Sequence, residues 1–473
     1  MCEIYSRISH NNILMIKILK NKNTLTIIIS CIIVLVLLTS SSFFRVLNKS
    51  IQNKYYIIKN EIVGLSANPH IVIIELDDES FDTIGSFPFP RSAYAQALEN
   101  LKKYNTAVVA FDILFLDPST SLEDKIFVES VSKSPNVVLW SAKNGAWEIQ
   151  TPFDLLKKGS YTTWYLPPVV EHSNRTVYSF LPSYTSAQSA TYEHFSLQVL
   201  RAFYAYLYDE SNKSTLWHYN ESNYVFSESI SYPLASKKSD EILINFIPPN
   251  SFTRAWFSDI YDVDKIRSLD KQINLQDKII LIGPAAEWLK DEFFTPNGLE
   301  YWINVHANIL NTLLSKQYMV YFDKHLEWLL IFFLVILSVS ANLSSSNKVL
   351  LISNTAIVSI FWFIFPLSIL LGTNLILNYP SEIIFSLLLA FTSANIVKYL
   401  IEDTNKRKLN KALSEYVWVN IADEILLEQG KVNLDGQEKN LVCFFSDIEW
   451  FTSISEHFSP EILVSFLREY LGN

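Results

Sequence analysis

Three cysteines, three methionines and ten glycines are few for a chain of 473 residues. Cys2 and Cys443 lie near the two ends and Cys31 falls inside an apolar run, so the long middle of the chain carries no thiol. That excludes a disulfide framework for the middle, even outside the cytoplasm, and leaves no basis for a cysteine zinc site or thiol-redox chemistry. Positive charge is also in deficit: 38 Lys and Arg face 48 Asp and Glu, a net charge of -10, which argues against a nucleic-acid partner. Apolar residues are not scarce. They make up 49% of the chain at a mean hydropathy of +0.17, pointing to membrane segments rather than one large soluble core. The abundance of Asn, Ile, Lys and Ser resembles the usage of AT-rich bacterial genomes.

The length allows two or three domains. Residues 1–24 are polar and carry Arg7, Lys17, Lys20 and Lys22, and Leu25 to Phe44 is an uncharged run. A span needs about 20 residues, so 25–44 reads as a transmembrane helix, with a secretory signal as the alternative. Further apolar runs at 326–343, 349–371 and 375–397 are joined by the short connections SSSNK and GTN. Four spans return the chain to its starting side. Lys398, Lys406, Arg407, Lys408 and Lys411 crowd the exit of the last run, as expected of a cytoplasmic flank. The expectation is a multi-pass protein of a bacterial inner membrane, with both termini cytoplasmic and residues 50–320 outside. Pro366 would kink the third span, and Glu327 and Glu382, near span ends, need no channel role.

Between the first two spans, short apolar runs alternate with helical patterns. IVIIELD (71–77), AVVAFDILF (107–115), NVVLW (136–140), EILINFI (241–247) and KIILIGPA (278–285) read as strands. Helices are expected at 94–103, 123–132, 196–208 and 305–315. This pattern predicts a mostly parallel sheet covered on both faces, an α/β domain with a variable middle. Asp77, Asp112 and Gly283 fall at strand ends, where ligands gather in open parallel sheets. With Asp78 and Glu79 they could rim an acidic crevice suited to a cation or an amine. Alternatively, Asp78 and Glu79 cap the next helix and Asp112 pairs with Arg91. His306, in an apolar helix, reads as a packed core histidine. Trp140, Trp147, Tyr161, Trp164 and Tyr165 could hold a flat molecule or simply pack.

Five stretches in order, IVIIELDDESFDTIGSFPFPRSAYAQALENL, AVVAFDILFLDPS, ILINFI, KIILIGPAAEWLKDEFFTP and INVHANILNTLLSKQYM, resemble the second type of CHASE domain. The resemblance covers about residues 50–320. It implies an extracytoplasmic module that senses an unidentified stimulus ahead of a signalling output.

Near the C-terminus, Leu441 to Phe445 reads as a buried strand. It ends at Ser446-Asp447-Ile448-Glu449, and a helix follows near Thr452 or Ser453. Asp447 at such a strand end can offer a hard oxygen to Mg²⁺, or can merely cap the helix. FFSDIEWFTSISEHFSPEILVSFLREYL resembles the opening of class III nucleotide cyclase domains, an α+β (ferredoxin-like) fold. The resemblance implies that Asp447 and the Ile448 carbonyl bind two Mg²⁺ or Mn²⁺ ions. It places Phe451 and Thr452 beside the triphosphate of a nucleotide, with ATP favoured over GTP by family base rate. It also implies a homodimer, joined through a helical linker at 399–438 with a stripe at Leu409, Leu413 and Val417. Trp450 departs from the family's usual Gly. Residues 439–473 correspond only to the first part of such a domain, without the family's second metal-binding Asp, base-selecting residues or Asn/Arg pair. The chain alone is therefore expected not to cyclise a nucleotide. The competing expectation is a non-enzymatic membrane sensor.

Overall fold

The computed structural model describes residues 42–344, 371–416 and 442–471. Exceptions are 135, 144–148, 151–161, 166–169, 172–175, 186–190, 209–217, 221–222, 228–229, 234–240, 443 and 446. The chain divides into two units, Met1–Tyr399 and Leu400–Asn473.

The first unit opens with a long helix α1 (Ser42–Val63) that leads into β1 (Ile71–Leu76), α2 (Asp78–Ile84), α3 (Arg91–Lys102), β2 (Val108–Leu114), α4 (Ser121–Lys133) and β3 (Val137–Lys143). After these come β4 (Thr162–Tyr165), α5 (Phe195–Tyr208), β5 (Thr253–Trp256), α6 (Phe257–Tyr261), α7 (Val263–Ile273), β6 (Ile279–Pro284) and α8 (Trp302–Ser315). The labelled strands form one parallel sheet in the order β5-β1-β6-β2-β3, with β4 alongside β3.

Strand residues alternate between faces, and both faces are covered. Ile71, Ile73, Val108, Ala110, Ile279 and Leu281 pack against α5 and α8. Val72, Ile74, Val109, Phe111, Ile280 and Ile282 pack against α3, α4, α6 and α7. This explains why the strands read as near-continuous apolar runs. Burying each such side chain stabilises the fold by roughly 1.5–3 kcal/mol, and Ile73, Ile74, Leu281 and Ile282 are fully covered.

One expected strand is much shorter than its apolar run. Of EILINFI, only Ile242–Leu243 pairs, antiparallel to the segment Val177–Phe180. Beyond it the backbone is satisfied by α8 side chains: the Asn245 N–H donates to Thr312 Oγ1 at 2.9 Å, and the Ile247 N–H to Asn308 Oδ1 at 3.0 Å. The polar residues of α8 replace a neighbouring strand, so the segment is extended without a ladder.

α1 was not evident in the sequence because it buries polar residues. Asn48, Gln52, Lys59 and Asn60 are all buried, which breaks the apolar stripe expected of an amphipathic helix. After α8 the chain forms α9 (Lys324–Ser344) and later α10 (Pro380–Tyr416). The run expected to span from 375 begins instead with a two-residue strand, Leu375–Ile376, parallel to Val320–Tyr321. Its helix starts at Pro380, a residue suited to the first helical position because its missing N–H would be unpaired there. Among the described residues one helix, Pro380–Leu409, is long and apolar enough to cross a membrane by length and composition. The span expected at 326–343 lies within α9, whereas those at 25–44 and 349–371 fall almost wholly outside the described residues.

In the second unit the described residues of the expected buried strand 441–445 are not in a strand. Val442, Phe444 and Phe445 are 99%, 87% and 91% exposed, and among the described residues of this unit no strand pairs with them. An isolated strand leaves its own backbone groups unbonded and has no face to bury. The helices α11 (Phe451–His457) and α12 (Pro460–Leu471) do form where the sequence expects them.

Candidate functional site

Strand register gathers a row of polar groups on the sheet face beneath α8. In β1, Glu75 continues the alternation of Ile71 and Ile73, and it lies opposite Gly283 of β6. Asp112 continues the alternation of Val108 and Ala110 in β2, and Arg254 of β5 lies opposite Ile73. Helix α8 supplies Asn304, His306 and Asn308 from above.

Asp112 and Gly283, both expected at a crevice, are neighbours. A Cβ on Gly283 would lie 3.1 Å from Asp112 Cβ, 3.2 Å from its Oδ2 and 2.9 Å from Ile303 Cδ1, so glycine is required by close approach. The crevice itself is closed at this point. Asp112 is buried, and neither of its carboxyl oxygens has a hydrogen-bond partner among the described residues. Burial, reinforced by Asp291, pushes its carboxyl well above the usual range, because an unpaired charge is costly away from water. Burial alone pushes His306 down to about 3. Asp112 Oδ1 and His306 Nε2 therefore meet at 3.7 Å as two neutral groups rather than as an ion pair. His306 Nδ1 lies 3.1 Å from Ser196 Oγ. The result is a serine, histidine and aspartate in sequence, but Ser196 and His306 are wholly covered, and no substrate can reach the hydroxyl.

Asp77 and Asp78 take other roles. Asp77 caps α2, accepting from the Ser80 N–H at 3.1 Å and the Ser80 hydroxyl at 2.6 Å. Asp78 is exposed in the first turn of that helix, and Glu79 pairs with Lys265 at 2.9 Å. The alternative pairing of Asp112 with Arg91 is not formed. Arg91 sits 3.8 Å from Asp124 and stacks over Phe115 at 4.5 Å, because the start of α3 faces α4, on the opposite side of the sheet from Asp112. In the aromatic segment, Trp140 is half-buried against the core; Trp147 and Tyr161 lie outside the described residues.

The open part of the row lies toward the sheet edge. A cleft of about 430 Å³ is lined by Glu75 and Arg254 from the strands, Asn304 and Asn308 from α8, and Glu292, Glu300 and Tyr301 from the hairpin preceding it. Ile247, Pro248, Pro249, Phe252 and Leu299 complete its walls. Arg254 is ion-paired with Glu75, and its second terminal nitrogen donates to Asn304 Oδ1 at 2.9 Å. Glu300 Oε1 accepts from Asn297 at 3.1 Å and Thr295 at 3.3 Å, yet burial still raises its carboxyl above the usual range. None of these cleft residues was singled out from the sequence. The available signals were a Glu at the inward register of IVIIEL and Asn304, Asn308 and Asn311 spaced as one stripe on an otherwise apolar helix.

A second polar set ties α1 to the start of α10. Asn48 Nδ2 donates to Glu382 at 3.0 and 2.8 Å, the Ser381 N–H donates to Asn48 Oδ1 at 2.8 Å, and Gln52 donates to the Leu377 carbonyl at 2.7 Å. Two helical turns further, Lys59 reaches Asn374 Oδ1 at 2.7 Å, and burial lowers its ammonium to about 8. Glu327 of α9 accepts from the Asn378 and Tyr379 N–H groups at 2.9 and 2.6 Å.

At the C-terminal turn, Asp447 accepts from its neighbour's N–H at Ile448, 2.9 Å away, while the Ile448 carbonyl accepts from Phe451 at 3.1 Å. Phe451 and Thr452 open α11. One carboxylate and one carbonyl are hard oxygen donors of the right kind for Mg²⁺ or Mn²⁺, but they are only part of a two-ion donor set. Among the described residues no group of three or more His, Cys, Asp or Glu side chains could hold a metal.

A parallel sheet covered on both faces, with a polar cleft beside its strand ends, is an α/β domain with an open site at the sheet edge. Residues 28–340 match the CHASE2 domain family, well over half of the chain, and the protein belongs to that family. No curated protein and no solved structure matches it. CHASE2 domains are typically extracytoplasmic parts of membrane signalling proteins.

Proposed function

We propose that this protein is a dimeric, multi-pass receptor of a bacterial inner membrane. Its CHASE2 domain detects an extracytoplasmic stimulus at the Arg254 cleft and passes the change to a cytoplasmic segment related to class III nucleotide cyclases. The observation that carries the coupling step is the polar connection between α1 and the start of α10. Asn48 joins α1 to the start of α10, and Gln52 and Lys59 join it to the segment just before that helix. Buried polar contacts of this kind have few alternative arrangements, so a shift of α1 would displace α10 rather than be absorbed. A stimulus can drive that shift only if it binds the two arrangements with different affinity.

In this reading the output is conversion of ATP to cyclic AMP and pyrophosphate. Asp447 and the Ile448 carbonyl would contribute oxygens to Mg²⁺ or Mn²⁺, whose role would be to polarise the phosphate under attack. Phe451 and Thr452 would lie beside the triphosphate. The small donor set at Asp447 favours a second reading, a membrane sensor or interaction protein without catalysis.

Two measurements test the proposal. Membrane-impermeant labelling of single cysteines placed at Glu292 and at Glu402 in intact cells should label the first and spare the second; the reverse would overturn the topology. A cyclase assay on membranes containing the chain, with Mn²⁺ and ATP or GTP, should be silent for the chain alone; activity that disappears in Asp447→Ala would mean that a partner supplies the rest of the site. Equal activity in both proteins would overturn the catalytic role of Asp447, and silence in both would favour the second reading.

A further inference from the structure

The cleft carries more acid than it neutralises. Arg254 pairs with Glu75 and also acts on Glu300 across the cleft, so one positive charge faces three carboxylates, Glu75, Glu292 and Glu300. A charged ligand here must therefore be positive, because the hydrogen bonds to the Glu300 carboxylate come from the neutral donors Thr295 and Asn297, in a half-buried position where an excess of negative charge is costly. Asn304 adds an independent requirement. It is only 8% exposed, and its Oδ1 is fixed by Arg254, while its amide nitrogen has no hydrogen-bond partner among the described residues and lies on the cleft wall. That nitrogen faces the open cleft from a fixed side chain, so a ligand that displaces water there must offer it an acceptor. Pro248, Pro249 and Leu299 offer apolar contact between these polar ends. The cleft volume of about 430 Å³ falls within the range of small-molecule sites.

We propose that the cleft binds a small organic ammonium ion bearing an adjacent oxygen acceptor, of the amino-alcohol or amino-acid class. The ammonium lies against Glu300 and Glu292, and the oxygen accepts from the Asn304 amide. A bare anion would meet uncompensated carboxylates, and a neutral polyol would leave their charge unbalanced. This inference rests on the sensor reading above and adds the ligand class to it.

The test uses the full chain in lipid nanodiscs, with 2-aminoethanol as the probe and ethylene glycol and glycolate as matched neutral and anionic controls. Saturable thermal stabilisation by 2-aminoethanol and none by the two controls is expected. Glu300→Gln should weaken the apparent affinity at least tenfold, and Asn304→Ala should weaken it several-fold. Glu292→Gln, at the half-buried start of the hairpin, should weaken it as well. Stabilisation by ethylene glycol equal to that by 2-aminoethanol would overturn the proposal. So would affinity unchanged in both Gln variants, or no response to 2-aminoethanol at all. The cysteine labelling at Glu292 separates the two levels: external labelling without amine binding defeats the ligand class alone, whereas absence of external labelling defeats the sensor topology.

Discussion

Two stretches of nearly the same character behave in opposite ways. IVIIEL in β1 and LVCFF before Asp447 are both short apolar runs of strand-forming residues. In β1, Ile73 and Ile74 are fully covered, between β5 and β6 and between two helical layers. In the C-terminal run, Phe444 and Phe445 are 87% and 91% exposed, and they join no ladder among the described residues. Propensity does not separate them; neighbours do. Strand formation is a tertiary property, stabilised by pairing and by cover on the faces.

The largest expected effect breaks this comparison directly. Phe111 is fully buried in β2 among Tyr94, Phe115 and Phe127. Phe111→Ala should cost roughly 3–5 kcal/mol through lost burial and the cavity left behind. Phe445→Ala should change stability by less than about 0.5 kcal/mol, as exposed substitutions usually do. Denaturant unfolding followed by circular dichroism, on the full chain in detergent, measures both. Similar losses from the two variants would mean that Phe445 is covered in solution.

Gly283→Ala comes next. The added methyl group would press on Asp112 and Ile303 at 2.9 to 3.2 Å, and overpacking of this kind costs roughly 1–3 kcal/mol. Pairing it with Asp112→Ala should recover part of the loss, since the Oδ2 contact is removed while the Cβ and Ile303 contacts remain. Full additivity of the two variants in thermal melts would show that the strain lies elsewhere.

The sheet was legible because its code is local and repeated. Continuous apolar runs bounded by helical patterns specify a parallel sheet with two covered faces, and the Asp112 and Gly283 positions follow from where those runs stop. The cleft was not legible in the same way. Arg254 and Glu75 are 179 residues apart in sequence, and their meeting depends on β5 joining the edge beside β1. Asp77 misled for a different reason, since a carboxylate at a strand end serves equally well as a helix cap, and the Ser80 hydroxyl and N–H decide between the roles. Helix α1 was hidden because amides and a lysine interrupt its buried face, and Asn48, Gln52 and Lys59 find partners more than 300 positions away.

A smaller effect should appear in the pH dependence of the sheet face beneath α8. Asp112 has its carboxyl raised well above the ordinary 3.8 by burial, so the folded state keeps a proton that the unfolded chain has released. Stability from this group is present below pH 4 and is lost as pH rises toward the folded value. Asp291, raised to about 6 by burial, acts in the same direction between about pH 4 and 6. His306 works oppositely: held down to about 3, it costs stability as pH falls from 6.5. Asp112→Asn removes the first contribution and leaves the others. Melting temperatures from pH 4 to 8 should therefore show the variant gaining on the parent protein as pH rises. Parallel curves would mean that Asp112 is ionised in the fold.

The smallest expected effect sharpens the comparison from the other side, because it concerns a place where local backbone geometry shapes the C-terminal segment. Trp450 precedes α11 at φ 63° and ψ 19°, in the left-handed region. A side chain there costs about 1 kcal/mol relative to glycine, whose backbone adopts the angle freely. The Trp450 ring is 73% exposed and donates from Nε1 to Glu449 at 3.1 Å, so little packing opposes its removal. Trp450→Gly relieves the strain but adds freedom to the unfolded chain, which offsets roughly 0.5–1 kcal/mol of the gain. The expected net change is close to zero overall and slightly favourable to the first turn of α11. Hydrogen exchange at Ile454, whose N–H donates to the Trp450 carbonyl at 3.0 Å, reads that turn directly. Slower exchange in the variant would mean that the turn requires the left-handed angle, the geometry for which the resembling cyclase motif uses glycine. Faster exchange would mean that the indole holds the turn, through Glu449, in a conformation that glycine does not keep.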